Sequence, residues 1–217
     1  MKPRIKICCI NSPQEAKDSI NFGASALGLV AKMPSGPGPI SDELIKTIIA
    51  NIPPPIASFL LTSRTDSLEI ISHHQSVNSS VIQIVDALKS GSYEDFRKYI
   101  PAIKIVQVIH VIDEKTLDEA LEISEKIDAL LLDSGNPNLS VKELGGTGRV
   151  HNWAISRKIV EQSKVPVFLA GGLKAENVRA AIEAVQPYGL DLCSGVRTDG
   201  KLDLFKLEKF FEEVNRV

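Results

Sequence analysis

Residues 4–31 read RIKICCINSPQEAKDSINFGASALGLVA, and this stretch contains the unit from which the fold is built. An apolar run at 4–10 is followed by a segment of helical period at 12–22, and a second apolar run completes the unit. The dipeptide Ser12-Pro13 is typical of a helix start, because serine caps free N–H groups and proline suits the first helical position. The stretch therefore predicts a strand, a helix and a second strand.

The same alternation continues to the end of the chain. The predicted strands are Arg4–Ile10, Ala26–Ala31, Ile56–Thr62, Val81–Val85, Lys104–Val111, Ala129–Asp133, Val167–Ala170 and Leu190–Cys193. The predicted helices are Ser12–Phe22, Ser41–Asn51, Asp66–His74, Tyr93–Tyr99, Glu114–Lys126, Asn152–Ser163, Ala175–Val185 and Leu204–Asn215. Eight strand–helix units predict one α/β domain, a (β/α)₈ TIM barrel over residues 1–217. A doubly wound sheet is the alternative, but it normally has fewer strands, and no convincing Gly-x-Gly-x-x-Gly turn follows the first strand.

The composition is that of an ordinary soluble globular protein. The formal net charge is −2, which argues against the basic stripe that nucleic-acid binding needs. No apolar run approaches the about 20 residues of a membrane span, and the first residues lead into a strand rather than a signal peptide. Three cysteines, two of them adjacent, form no disulfide framework and suggest a reducing compartment. We therefore expect a cytoplasmic protein with neither a nucleic-acid nor a membrane partner.

Four patches of sequence lie where apolar runs end, and each supplies a proton-transfer group or a glycine-rich turn. The patches are Ile5–Cys8, Leu130–Asp133, Ala170–Leu173 and Cys193–Val196. In a barrel the active site gathers at the carboxyl ends of the strands, so the four patches are expected to converge there. A thiol, a carboxylate and two glycine turns together indicate an active site for a phosphorylated substrate.

Cys8 and Asp133 are the predicted base and acid. Lys6 and Cys8 point the same way along a strand, so if that face is the barrel interior the ammonium should lower the pKa of the thiol. Asp133 follows an apolar run, and partial burial would raise its pKa and suit a general acid. The alternative interpretations are a buried structural cysteine and a turn or cap aspartate.

The glycine turns are the predicted phosphate-binding elements. Gly171 and Gly172 precede a predicted helix, and Ser194 and Gly195 follow the last strand, as in the phosphate cradle of many barrels. A third glycine-rich loop at 145–148 contains Gly146 and Gly148 and is expected to cover the phosphate or act as a lid. His151, just beyond this loop, is a further candidate for substrate contact. One acid and one base need neither a metal nor a cofactor, and we expect none.

Six landmarks in this order resemble the phosphoribosylanthranilate isomerases of tryptophan biosynthesis. They are KICCI at 6–10, GASALG at 23–28, LLLD at 130–133, GGTG at 145–148, LAGGLKAENV at 169–178 and DLCSGV at 191–196. The resemblance covers almost the whole chain. It implies a TIM barrel that carries out an Amadori rearrangement of an N-glycosylated ribose 5-phosphate.

The resemblance also implies roles for individual residues. Asp133 would protonate the ring oxygen and open the sugar to a Schiff base, and Cys8 would remove the C2 proton to give an enolamine. Lys6 and Asp191 would join the glycine turns in binding substrate and phosphate. The partner would be a phosphorylated sugar, and the protein a monomer or homodimer.

The sequence departs from the family pattern at several positions, which include Cys193 in place of a serine. Gly38 stands where an arginine pairs the anthranilate carboxylate, Cys9 and Arg197 replace a glycine and a glutamate, and 83–86 has lost a histidine. Arg197 and Arg149 are candidates for a relocated cation. Three interpretations remain open: the family isomerase itself, a paralogous sugar-phosphate isomerase with another aglycone, and a non-catalytic phosphate-ligand-binding barrel.

Overall fold

A closed barrel of eight parallel strands forms the centre of the protein, in a computed structural model that describes residues 2–135 and 150–217. The barrel strands are β1 Arg4–Ile7, β2 Ala26–Val30, β3 Ala57–Thr62, β4 Val81–Ile84, β5 Lys104–His110, β6 Ala129–Asp133, β7 Val167–Leu169 and β8 Gly189–Leu192. Each strand pairs with the next in the chain, and β8 pairs with β1 in parallel register, Lys6 opposite Asp191. The predicted TIM barrel is confirmed. That residues 1–217 form a single domain stays a prediction.

Helices follow the strands and surround the barrel. They are α1 Pro13–Phe22, α2 Asp42–Ala50, α3 Ser67–Val77, α4 Tyr93–Tyr99, α5 Lys115–Ser124, α6 Trp153–Gln162, α7 Val178–Val185 and α8 Leu204–Asn215. A short 3₁₀ turn, Ser194–Val196, and a two-stranded ribbon, β9 Arg197–Thr198 with β10 Lys201–Leu202, lie between β8 and α8. None of the helices in the described part of the chain is long and apolar enough to cross a membrane.

The caps explain where helices begin and end. The Ser12 hydroxyl accepts a hydrogen bond from the Glu15 N–H at 3.1 Å, which satisfies a free donor at the start of α1. Gly23, at φ +114°, ends that helix in the left-handed conformation that glycine tolerates. The predicted start of α7 at Ala175 is wrong, because a turn held by Asn177 delays the helix to Val178.

Two layers of apolar side chains form the core. Residues of one parity, such as Ile5 and Ile7, pack between the strands and the helices. Residues of the other parity fill the barrel interior, where Phe59 and Phe168 meet edge to face. This alternation points the site residues of β1, β6 and β8 inward.

Candidate active site

The carboxyl ends of the strands enclose a cavity that brings most of the predicted site residues together. Six of them line its wall: Cys8, Asp133, Gly171, Gly172, Asp191 and Ser194. These residues come from the ends of β1, β6, β7 and β8 and from the loops that follow, so strands far apart in sequence supply one site. Gly146 and Gly148 lie outside the described residues.

Lys6 lies buried beside Cys8 at the inner end of the site. Its ammonium bonds Asp191 Oδ1 at 2.8 Å and lies 5.3 Å from the centre of the Phe59 ring. A Cβ at Gly28 would come within 2.8 Å of Cys8 Sγ and 3.0 Å of Lys6 Nζ, so only glycine leaves room for both groups. Desolvation opposes the charge of Lys6, but the negative charge of Asp191 and of a Cys8 thiolate raises its pKa, and it stays protonated.

The Cys8 thiol is buried in an environment that favours its ionised form. A hydrogen bond from the Cys9 thiol contributes most to lowering the pKa of Cys8, and the positive charge of Lys6 adds to it. Burial and the negative charge of Asp191 act in the opposite direction, without reversing the shift. The predicted influence of Lys6 is present, but the larger contribution of Cys9 was missed, since the sequence shows only that the two cysteines are neighbours.

The Asp133 carboxyl group, in contrast to the Cys8 thiol, lies in surroundings that favour its protonated form. Burial raises the pKa of Asp133 to about 6, and the negative charge of Asp191 adds to the rise. The Ser134 N–H donates to Asp133 Oδ1 at 2.7 Å, which limits the shift. An acid that holds its proton near pH 6 and a thiol that readily gives one up therefore face the same cavity.

The glycine turns after β7 and β8 lie against each other. Gly171 and Gly172 both have positive φ angles, +84° and +61°, that a residue with a side chain rarely adopts. A Cβ at Gly195 would lie 1.9 Å from the Leu173 carbonyl oxygen, so the two loops touch backbone to backbone. The Asn177 amide donates to the Gly172 carbonyl at 2.9 Å and braces this pair of turns.

His151 lies beside the first of these turns. A Cβ at Gly171 would come within 3.1 Å of His151 Nδ1, while Nε2 lies 2.7 Å from the Ser156 hydroxyl. Burial lowers the pKa of His151 to about 4, so its imidazole is neutral at physiological pH. The residue is thus close to the predicted phosphate site, and a substrate contact stays a prediction.

Arg197 is held away from the cavity. Its guanidinium bonds the Glu15 carboxylate at 2.8 Å and the backbone carbonyls of Cys9 and Gly200 at 2.6 and 2.9 Å. It therefore ties β9 to α1 and β1, and the suggestion that it supplies a relocated cation for substrate is wrong. The other candidate, Arg149, lies outside the described residues.

Two of the departures from the family pattern are in contact. Cys9 has φ +62°, the left-handed region, and Gly38 has φ +83°. A Cβ at Gly38 would lie 2.6 Å from Cys9 Cβ, so a side chain at either position leaves little room for one at the other. No local sequence signal links the two positions, because they lie on different loops.

The fold and the cavity define the class of protein, a (β/α)₈-barrel enzyme with its site at the carboxyl ends of the strands. A family model for N-(5'phosphoribosyl)anthranilate (PRA) isomerase matches residues 5–213. The chain belongs to this family of tryptophan biosynthesis enzymes, which confirms the resemblance seen in the sequence.

Individual relatives agree with the family assignment. The N-(5'-phosphoribosyl)anthranilate isomerase of Methanosarcina acetivorans is 36% identical, over 99% of this chain and 94% of its own. That of Nostoc punctiforme is 33% identical, over 97% of this chain and 98% of its own. The crystal structure of the Thermotoga maritima phosphoribosyl anthranilate isomerase superposes with a TM-score of 0.82 at 27% identity, covering 99% of this chain and all of the other. A phosphoribosyl anthranilate isomerase in complex with reduced 1-(o-carboxyphenylamino)-1-deoxyribulose 5-phosphate has a TM-score of 0.80 at 25% identity, with 99% of this chain covered.

Proposed function

We propose that this protein converts N-(5'-phosphoribosyl)anthranilate to 1-(o-carboxyphenylamino)-1-deoxyribulose 5-phosphate, with Asp133 as general acid and Cys8 as general base. The observation that carries the proposal is the pairing of these two groups in one cavity. Their pKa values are shifted toward each other, that of Asp133 up to about 6 and that of Cys8 down. General acid–base catalysis is most efficient when the pKa values of the acid and of the base are moved toward the operating pH.

The two catalysed steps move one proton each. Protonated Asp133 gives its proton to the furanose ring oxygen as the C1–O bond breaks, and the lone pair of the anthranilate nitrogen forms the C1=N⁺ bond of a Schiff base. The Cys8 thiolate then takes the C2 proton, and the C2–H electrons form the C1=C2 bond of a neutral enolamine. The enolamine tautomerises to the ketone by losing the C2 hydroxyl proton to water and gaining a proton at C1 from water. Proton transfer from the Cys8 thiol to the Asp133 carboxylate through water then restores the starting pair. These proton transfers require no metal and no cofactor.

The remaining predicted residues bind and orient the substrate in this proposal. Gly171, Gly172, Ser194 and Gly195 offer backbone N–H groups to the phosphate. Gly146 and Gly148, which lie outside the described residues, stay predicted phosphate contacts. Phosphate binding energy holds the sugar so that its reacting end meets the acid and the base. Asp191 and Lys6 hold the inner end of the site, where their ion pair neutralises both charges.

The aglycone end supports a second candidate function, a paralogous isomerase that acts on another amine. Among the described residues, those lining the cavity include no arginine or lysine to pair a carboxylate. Gly38 stands at the position of the family's arginine, and Arg197 is engaged by Glu15. A non-catalytic ligand-binding barrel is the third candidate, and the retention of both Cys8 and Asp133 argues against it.

Turnover of freshly prepared N-(5'-phosphoribosyl)anthranilate, followed by the loss of its fluorescence, tests the proposal. We expect the wild-type protein to consume it and Cys8→Ala to lose about 10²–10⁴-fold in kcat, the usual contribution of a general base. Isomerisation that survives Cys8→Ala would show that the base is wrong. A folded wild-type protein that binds ribose 5-phosphate but leaves the substrate unchanged would point to another amine.

The setting of the reaction is part of the proposal. The protein acts in the cytoplasm, as a monomer or homodimer, on a small phosphorylated sugar. Three free cysteines at or near the site support a reducing compartment. Solved relatives include a complex with a phosphorylated ligand and monomers generated from a dimeric enzyme.

A further inference from the structure

Two glutamines on neighbouring barrel strands are equally buried but differ in their hydrogen bonds. Gln83 on β4 and Gln107 on β5 are each 2% exposed. The Gln107 carboxamide is fully engaged, since its Nε2 donates to three backbone carbonyl oxygens at 3.1 to 3.3 Å and its Oε1 accepts from the Tyr93 hydroxyl at 2.8 Å. Within the described part of the chain, neither atom of the Gln83 carboxamide makes a hydrogen bond.

The Gln83 carboxamide destabilises the free protein. A buried polar group without a partner loses its hydration and gains no hydrogen bond in return. Its neighbours in register, Leu61 on β3 and Val106 on β5, are apolar, so an apolar side chain would suit this position better on packing grounds alone. Such groups are few in folded proteins, and one that borders a cavity has a bound ligand as its natural partner.

Gln83 borders the same cavity as the proposed acid and base. It lines the cavity wall, and Oε1 is the buried atom of its carboxamide, so Nε2 is the atom that meets a bound molecule. The closed ring of eight strands places β4 directly across the barrel from β8. A substrate whose phosphate rests on the turns after β7 and β8 therefore extends its opposite end, the aglycone, toward Gln83.

The wall around Gln83 suits an aromatic aglycone. Apolar side chains line this part of the cavity and present a surface to a flat ring: Val30, Leu61, Val85 and Val108. Gln83 adds a polar group to this apolar wall. A polar group in such a place fixes the orientation of the bound ring.

Charge decides which substituent of the ring meets the carboxamide. Asp133 and Asp191 line the cavity on β6 and β8, where a carboxylate would meet groups of its own sign. A carboxamide N–H that donates to a carboxylate forms a charge-assisted hydrogen bond without a second buried charge. Among the described residues that line the cavity there is no arginine or lysine, so the neutral donor of Gln83 is available in place of a cation.

We propose that Gln83 selects an aglycone that carries a carboxylate, with its Nε2 donating to a carboxylate oxygen. This inference rests on the proposed function and concerns how the anthranilate end of that substrate is recognised. The hydrogen bond holds the ring against the apolar wall and moves no proton, so Cys8 and Asp133 keep their roles. The same carboxamide that increases affinity for the ligand lowers the stability of the free protein.

The test compares the binding of two stable ligands by isothermal titration calorimetry. One is reduced 1-(o-carboxyphenylamino)-1-deoxyribulose 5-phosphate, and the other is the same molecule with a phenyl group in place of the carboxyphenyl group. We expect the wild-type protein to bind the carboxylated ligand about 10- to 100-fold more tightly, the range for a hydrogen bond to a charged group. Gln83→Met, which keeps the length of the side chain, should remove most of this preference and bind the phenyl ligand as the wild type does.

Melting temperatures of the free proteins separate this role from a structural one. Gln83→Met should melt at or above the temperature of the wild type, because it removes a buried carboxamide that has no partner. Gln83→Leu is a second apolar variant and should behave in the same way. Gln107→Met is the matched control on the next strand: it breaks the bonds of a fully engaged carboxamide, so it should melt lower and keep the preference for the carboxylated ligand.

A wild-type protein that binds the two ligands equally would overturn the inference. Equal losses for both ligands in Gln83→Met would also overturn it, since the carboxamide would then contact the sugar. Lower melting temperatures in both Gln83 variants would contradict it too, because the carboxamide would then have a partner within the fold. These outcomes leave the proposed function intact if N-(5'-phosphoribosyl)anthranilate is turned over, whereas a protein that binds neither ligand would overturn both.

Discussion

At the scale of single residues, the site depends on a carboxyl group that is kept partly protonated by its surroundings. The Asp133 side chain closes β6 at the cavity wall, where burial disfavours its charged form, and the pKa rises to about 6. The apolar run Ala129–Leu132 carries the residue to that place, so the same segment supplies both the strand and the shift. That much was predictable, because a carboxylate at the end of a buried strand is costly unless it is paired, protonated or at the barrel mouth.

The first prediction at this scale concerns the pH profile. Because Asp133 must hold a proton to open the sugar ring, we expect kcat/KM to fall as the pH rises through about 6, on the free enzyme. Asp133→Asn should lower kcat by about 10²–10⁴-fold and leave the affinity for ribose 5-phosphate unchanged. Stopped turnover assays from pH 5 to 9, with equilibrium binding as the control, check this. A profile of kcat/KM without a basic limb near pH 6 would remove Asp133 from the role of acid.

At the scale of elements, the sequence predicted correctly the features that depend on contacts between near neighbours in the chain, such as helix caps. Ser12 and Asp66 cap α1 and α3 as expected, since a cap needs only the next three residues. The end of β1 was placed three residues too late, at Ile10 rather than Ile7, because Cys9 leaves the extended conformation. The bond between Arg197 and Glu15 joins residues 182 positions apart, and no periodicity in the chain reports such a contact.

The turn before α7 supplies a prediction at the same scale. Asn177 accepts from the Lys174 N–H at 2.9 Å and donates to the Gly172 carbonyl at 2.9 Å, so it braces the proposed phosphate-binding turn. Loss of both bonds in Asn177→Ala should destabilise this turn by about 2 kcal/mol, since each bond contributes about 1 kcal/mol, and so weaken binding of ribose 5-phosphate by up to about 30-fold. Isothermal titration calorimetry measures the change.

A matched control separates the turn from a general loss of stability. Ser41→Ala removes the cap of α2, where the hydroxyl accepts from the Leu44 N–H at 3.3 Å. It should destabilise the protein by about 1 kcal/mol without weakening phosphate binding. Equal affinities in Asn177→Ala and Ser41→Ala would mean that the turn is held by its other contacts.

At the scale of the whole molecule, the barrel explains why the convergence of the site was predictable. Eight parallel strands place all their carboxyl ends on one side, so Cys8 and Asp133 had to meet once the strands were placed. The contact between Cys9 and Gly38 was not predictable in this way, because it depends on how two loops pack above the barrel. The burial of the Asp133 carboxyl group at this end of the barrel also makes the stability of the fold depend on pH.

The last prediction concerns how the free energy of unfolding depends on pH. Asp133 has a folded-state pKa of about 6, above its ordinary value of 3.8. A carboxyl group with a raised folded-state pKa stabilises the folded state fully at pH values below 3.8. This contribution is lost as the pH rises from 3.8 to about 6. At pH 8 the ionised group therefore lowers the free energy of unfolding, by about 3 kcal/mol at most.

Asp133→Asn removes the buried charge and keeps an oxygen for the Ser134 N–H, so it should be more stable than the wild type at pH 8. The advantage should shrink to a fraction of about 1 kcal/mol near pH 4, where Asp133 is protonated in the folded state and close to half-protonated in the unfolded state. Urea denaturation of both proteins at the two pH values measures the difference. Asp128→Asn is the control of opposite sign. Desolvation opposes the charge of Asp128, but the Ile105 N–H and the cations of Arg97 and Lys104 lower its pKa overall. The Asp128→Asn variant should therefore be less stable than the wild type at pH 8. A wild type as stable as Asp133→Asn at pH 8 would mean that the cavity solvates the ionised carboxylate. The pKa of Asp133 would then not be raised, and the argument for its role as the acid would fail.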